Sequence, residues 1–241
     1  MGTMATITTL KRELRERSSP ADAKFLQRFF KTGPGQYAEG DRFLGVRVPA
    51  TRAVARSGRD IPPTRLMPLL RSEWHEERLL GLILLAAAHD AADETTQRQI
   101  LRIYLANTRH INNWDLVDTS APSIVGPHID PRRPVLLERL ARSKSLWERR
   151  IAMLATLHWI RKGQTAVAFR IATLLLGDKH DLIHKAAGWM LREAGQRDQL
   201  ALERFLARNG PRMPRTMLRY AIERFSKAVR QRYLRGLRPR P

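Results

Sequence analysis

Along the chain, polar and apolar positions follow the spacing of amphipathic helices, and the two-residue alternation of half-buried strands is almost absent. Start and stop signals cut this pattern into a series of elements. Ser19-Pro20 supplies an N-cap followed by a proline at the first helical position, and Thr32-Gly33-Pro34-Gly35 ends the helix that they open. Read this way, the sequence predicts helices over 6–17 and 20–31, and another that begins near Pro49 after Phe43-Leu44-Gly45-Val46. Further helices are predicted over 63–71, 74–89, 93–107, 113–125, 133–142, 145–161, 164–176, 181–193, 198–209, 214–225 and 227–234. The class is all-α.

Helices spaced so evenly call for a search for repeats. Trp74-His75-Glu76-Glu77-Arg78 resembles Ser145-Leu146-Trp147-Glu148-Arg149-Arg150 when Arg78 is laid on Arg150, two steps of about 36 residues. Trp114 lies halfway between, and further steps of about 35 arrive at Lys185 and then near Arg219. A helix pair of this length without the tetratricopeptide signature predicts an α-solenoid of HEAT-like pairs, curved, with the second helices lining a concave groove. On that register one stripe reads Arg78, Trp114, Arg150, Lys185 and Arg219. Four residues on, it reads Leu82, Asp118, Leu154 and Trp189. Trp114, Asp118, Arg150 and Trp189 are thus expected to converge on one short stretch of groove. The organisation expected is a single repeat domain over 1–241, with N-terminal helices over about 1–60 and a frayed basic tail over about 230–241.

Charge changes the picture from fold to partner. Forty-four Lys and Arg against 23 Asp and Glu give a net charge of +21, in a chain that is 43% hydrophobic and therefore able to fold. A folded protein with a polyanion-binding face follows, with nucleic acid as the leading partner. The absence of cysteine excludes disulfides and thiolate catalysis. The longest apolar run, 79–88, is too short to span a bilayer, and the first ten residues lack a secretory pattern, so an intracellular protein off the membrane is expected.

Candidate chemistry centres on Trp114-Asp115-Leu116-Val117-Asp118. Trp114 and Asp118 stand one helical turn apart on one face. A lone carboxylate does not supply both the acid and the base of ordinary glycoside cleavage, yet suffices where the leaving group already carries positive charge. Indole faces bind cations. Asp115 reads as a first-turn residue favoured by the helix dipole. His180 and His184 have metal-ligand spacing but no Glu between them, and no metal or cofactor is expected. Gly33-Pro34-Gly35 lacks the Lys-Ser/Thr of a phosphate loop and reads as a turn.

Phe43-Leu44-Gly45-Val46 with Pro49, Trp114-Asp115-Leu116-Val117-Asp118, Arg149-Arg150, and 185–193 from Lys185 through Gly188-Trp189 to Arg192-Glu193 together resemble the AlkD-type DNA alkylation repair glycosylases, a HEAT-like family. The resemblance implies a monomer in the bacterial cytoplasm that acts on double-stranded DNA and excises cationic N3- or N7-alkylated purines. It implies Asp118 as the catalytic carboxylate, Trp114 and Trp189 at the lesion nucleotide, and Arg150 at the neighbouring backbone. Arg78, Arg149, Lys185, Arg192 and Arg219 are expected to bind DNA. Asn113 departs from the pattern, since at least one relative carries a second Trp there, and 29–37 has no assigned counterpart. The alternative is a non-catalytic helical-repeat protein that binds damaged or structured nucleic acid.

Overall fold

The computed structural model describes residues 5–236. Within them α-helices follow one another and no β-strand forms; Arg42 and Trp74 make an isolated backbone bridge. The helices are α1 (Ile7–Glu16), α2 (Pro20–Phe29), α3 (Val48–Ala55), α4 (Met67–Leu70), α5 (His75–Ala91), α6 (Glu94–Ala106), α7 (Trp114–Ile124) and α8 (Val135–Ala141). They continue as α9 (Leu146–Ala155), α10 (Leu157–Arg161), α11 (Ala166–Leu174), α12 (Asp181–Arg197), α13 (Gln199–Asn209), α14 (Arg215–Ala221) and α15 (Lys227–Leu234). None is long and apolar enough to cross a membrane. The last five residues, with Arg238 and Arg240 of the expected tail, lie outside the described residues.

Side-chain caps set many of these starts. Thr6 and Thr9 form a reciprocal capping box on α1, and Ser19, Asp93, Ser145, Asp198 and Ser226 each accept a backbone N–H of the helix they open. The helix expected over 145–161 is broken. The Thr156 hydroxyl and N–H both bond back to Met153 O, and this tight turn separates α9 from α10. The stretch expected over 63–71 becomes a 3₁₀ turn followed by the short α4, with Pro63 and Pro68 removing two backbone donors.

Contacts divide the chain into two compact units that meet in sequence at Ile124 and Val125. In the first, α5 is the central element and packs against α3, α4, α6 and α7. In the second, α12 takes that place and packs against α9, α11, α13 and α14. Each unit is therefore a stack of helix pairs of the α-solenoid kind, in which long second helices lie against one another and first helices flank them. Gly188 lets α12 and α14 approach closely, since a Cβ there would stand 2.5 Å from Tyr220 Cβ and 2.6 Å from Met217 O.

Candidate functional site

Four consecutive charged residues, His75-Glu76-Glu77-Arg78, open α5, and all four are buried. Burial of charge demands partners, and each has them. The Glu76 carboxylate accepts the backbone N–H groups of Leu44 (2.8 Å), Gly45 (2.9 Å) and Val46 (3.1 Å). This explains Phe43-Leu44-Gly45-Val46 physically. Gly45 has φ +83°, and a Cβ on it would fall 2.1 Å from Ser19 O, so only glycine lets the segment wrap the carboxylate against the start of α2. Glu77 holds Lys11 (2.7 Å), Arg15 (3.2 Å) and the Ser72 hydroxyl (2.7 Å). Arg78 donates to Asp41 (2.6 Å) and to Ser72 O (2.9 Å).

His75 is 2% exposed and lies between two carboxylates, with Nδ1 2.9 Å from Asp41 and Nε2 2.8 Å from Asp115. Burial alone would favour the neutral ring, but the charges and hydrogen bonds of Asp115 and Asp41 outweigh it and push the pKa up to about 9. Asp41 also accepts from Arg78 and from the Asn113 amide. Burial would raise its pKa, yet His75 and Arg78 hold it below the usual carboxylate value. Because the folded state raises the pKa of His75, its stabilisation is complete below the unfolded value of 6.5, declines as pH rises above that, and is gone beyond about 9. The amount is on the order of 3 kcal/mol. Between pH 6.5 and 9.5 the urea midpoint of the native chain is expected to fall more steeply than that of His75→Gln, and parallel curves would remove His75 as the cause.

An aromatic stack runs from this ion network to α7. The Phe43 and Phe30 rings lie 4.4 Å and 5.1 Å from that of His75, and the Trp114 ring stacks on Phe30 at 5.1 Å. Phe29 meets Trp114 edge-on at 6.0 Å, and Phe25 stacks on Phe29 at 6.0 Å. Phe29 is 53% exposed, Phe25 47%. The segment without an assigned counterpart in the sequence thus supplies aromatic neighbours for Trp114. Trp114 and Asp118 are both half-buried, one turn apart on α7. Beneath them Tyr104 is buried against the Ser120 hydroxyl (3.0 Å). Burial raises its pKa, and the negative charge of Asp118 adds to the rise.

Asp115, expected as a dipole-favoured first-turn residue, is instead a partner of His75, with its side chain only 13% exposed. His180 and His184, spaced like metal ligands, have other bonds: His180 Nδ1 accepts from Leu182 N, and His184 Nε2 donates to Asp178 O. Among the described residues no group of three or more His, Asp or Glu could hold a metal ion.

In the second unit Arg150 is 5% exposed and donates to Leu182 O (2.7 Å). Lys185 pairs with Asp181 (2.8 Å) on the surface of α12, and Arg219 is exposed on α14. Arg149 is bound to Asp178 (2.6 Å) and to the carbonyls of Ser143 and Lys144. Arg192 is held by Glu193 and Glu223. Trp189 is half-buried, donates its indole N–H to Glu193 (3.1 Å), and lines a cleft of about 390 Å³ with Leu157, Ile160, Arg161, Gln196 and Arg197.

Helix starts correct the repeat register. The second helices α5, α7, α9, α12 and α14 begin at His75, Trp114, Leu146, Asp181 and Arg215, in steps of 39, 32, 35 and 34 residues. The fourth residue of α5 is Arg78, of α9 Arg149 and of α12 His184, and each donates to the carbonyl six residues before it, Ser72 O, Ser143 O and Asp178 O. The repeat counterpart of Arg78 is therefore Arg149, not Arg150, and this position clasps the loop that precedes the helix. At the fifth position α9, α12 and α14 carry Arg150, Lys185 and Arg219, α5 carries Leu79, and α7 carries Asp118. One carboxylate takes the place that three cations take in α9, α12 and α14.

Comparison with known proteins adds to these findings. The model of a family described as DNA alkylation repair enzyme matches residues 10–225. A solved structure, "Predicted DNA alkylation repair enzyme from Enterococcus faecalis", superposes with a TM-score of 0.69 over 88% of this chain and 98% of that one, at 15% sequence identity. No curated protein matches significantly.

Proposed function

Because the chain belongs to the DNA alkylation repair enzyme family, we propose that it is a DNA glycosylase that hydrolyses the N-glycosidic bond of cationic N3- or N7-alkylated purines in duplex DNA. Asp118 carries this reading. It is a half-buried carboxylate one turn from an indole, at a helix position where α9, α12 and α14 hold Arg150, Lys185 and Arg219. A phosphate binder gains nothing from a negative charge there, whereas the developing positive charge of a sugar oxocarbenium is stabilised by it. Departure of an alkylpurine needs no proton from the protein, since the electron pair of the bond to the sugar passes to the cationic purine ring and the base leaves neutral. One carboxylate then does what neutral glycosides require two to do. Trp114, resting on Phe30 and Phe29, offers an indole face to the cationic base, a cation–π contact of about 0.5–2 kcal/mol. Arg150, expected at the neighbouring backbone, is 5% exposed and engaged by Leu182 O.

Among the cations expected at DNA, Arg219 is exposed on α14, while Lys185, Arg78, Arg149 and Arg192 are engaged by Asp181, Asp41, Asp178 and the Glu193–Glu223 pair. Arg219→Ala is therefore expected to weaken duplex binding and to reduce the slope of log K against log salt by about 0.9, the share of one phosphate. An unaltered slope would take Arg219 out of the interface. The reading as a whole is tested with duplex DNA that carries a single N7-methylguanine. Release of free base with an alkali-labile abasic site is the expected result, and protein that binds the duplex but releases no base would sink it.

A further inference from the structure

His75 has no place in the chemistry above, yet it is 2% exposed and bonded to the first turn of α7. Both of its ring nitrogens lie within 2.9 Å of a carboxylate oxygen. A neutral imidazole has one N–H and one lone pair, so it would turn a lone pair on one of the two carboxylates. Only the imidazolium satisfies both. The charged groups around the ring are Asp41 from the 41–43 segment, Asp115 from α7 and, through Asp41, Arg78 from α5. Glu76 and Glu77, next along α5, are taken by the Leu44–Val46 amides and by Lys11, Arg15 and Ser72.

We propose that His75 is a positioning residue: held between Asp41 and Asp115, it clamps the first turn of α7 to the 29–43 segment and so fixes Trp114 and, one turn on, Asp118. The claim about Asp118 rests on the glycosylase reading; the claim about Trp114 does not. The two arms of the clamp differ. Asp41 keeps Arg78, Asn113 Nδ2 and Arg42 N when His75 loses a proton. Asp115 keeps the N–H of its own neighbour Leu116 and, with its side chain 13% exposed, can turn to solvent, which Asp41 at 1% cannot. The proton therefore stays on Nδ1, facing Asp41, and the Asp115 arm opens. Trp114 adjoins Asp115 in sequence, and its ring rests on Phe30, which also packs on the His75 ring, so the opening reaches Trp114 by two routes.

The test uses the whole chain. The indole N–H resonance of Trp114, assigned by its disappearance in Trp114→Phe, and the ring nitrogens of His75 are followed by NMR from pH 6.5 to 10.5 without DNA. The Trp114 signal is expected to move with the same midpoint as His75, near the pKa of about 9 that two flanking carboxylates produce. Asp115→Asn, at the partly exposed arm, is expected to lower both midpoints by about 1–3 pH units. In parallel, single-turnover base release, corrected for the uncatalysed background, is expected to fall about tenfold per pH unit above that midpoint, as loss of one proton requires. His75→Gln is expected to be slow and to lack this alkaline limb. A Trp114 signal that stays still while His75 titrates overturns the proposal, as does a His75→Gln protein with the native rate and limb. Should His75→Gln fail to fold, Asp115→Asn decides by the shared midpoint. If Trp114 follows His75 but no variant releases base at any pH, the glycosylase reading fails and the clamp stands.

Discussion

Asp118→Asn is expected to lower single-turnover release of N7-methylguanine by about 10²–10³-fold while duplex binding is kept. The substitution preserves shape and removes charge. Preorganised groups aimed at charge that develops in a transition state contribute about 2.7–4 kcal/mol each, and every 1.36 kcal/mol is a factor of ten in rate. Binding should not suffer, because Asp118 stands at the helix position that holds Arg150, Lys185 and Arg219 in α9, α12 and α14, and its loss makes the protein more attractive to phosphate. The measurement is base release under enzyme excess, beside a titration of the same labelled duplex. Unchanged release would mean that Asp118 takes no part in the chemistry. A parallel loss of binding would make it a contact residue.

The second large effect falls on the fold. Glu76→Ala is expected to destabilise the chain by about 3–5 kcal/mol, since three backbone donors, the buried ones of Gly45 and Val46 and the half-buried one of Leu44, lose their acceptor together at about 1–3 kcal/mol each, less what water recovers. At 241 residues this amounts to a fall in Tm of about 10 °C. Glu76→Gln keeps one acceptor oxygen and should lie between the two. The readouts are the urea midpoint and the rate of proteolysis in the loop that precedes α3. A loss below about 1 kcal/mol would mean that water replaces the carboxylate, and that the Phe43-Leu44-Gly45-Val46 segment is held by packing alone.

Both expectations concern charged residues, and the sequence handled the two kinds differently. Asp118 is conspicuous because it interrupts an apolar face one turn from a tryptophan. Nothing of the sort marks Glu76. In sequence His75-Glu76-Glu77-Arg78 looks like a solvated first turn, and only the folded chain shows that its partners arrive from Lys11, Asp41 and the 44–46 amides. His75 draws no notice in the sequence and Asp115 reads there as a first-turn residue for the same reason: their bond spans 40 residues and leaves no local signature. Phe29 ends α2 and Phe30 follows it, so a helical pattern does not say that both meet Trp114.

The repeat was visible as a period and misaligned, by one residue between α5 and α9 and by four at α7, where Asp118 and not Trp114 shares the position of Arg150. A constant step of 36 laid Arg78 on Arg150, while the actual steps between second helices vary from 32 to 39 residues because the helices themselves, as well as the loops between them, differ in length. Hydrogen bonds to the carbonyl six residues before settle the register, and sequence carries no trace of those.

The sequence by itself determined the all-α class, most helix starts, the basic character and the Trp114–Asp118 pair, because caps, prolines and apolar spacing act within a few residues and are written locally. Only the tertiary structure decided which charges are buried clamps and which face solvent. Burial is set by what packs on a residue from far along the chain, and a charge at the start of a helix is the same letter whether water or an aspartate lies beyond it.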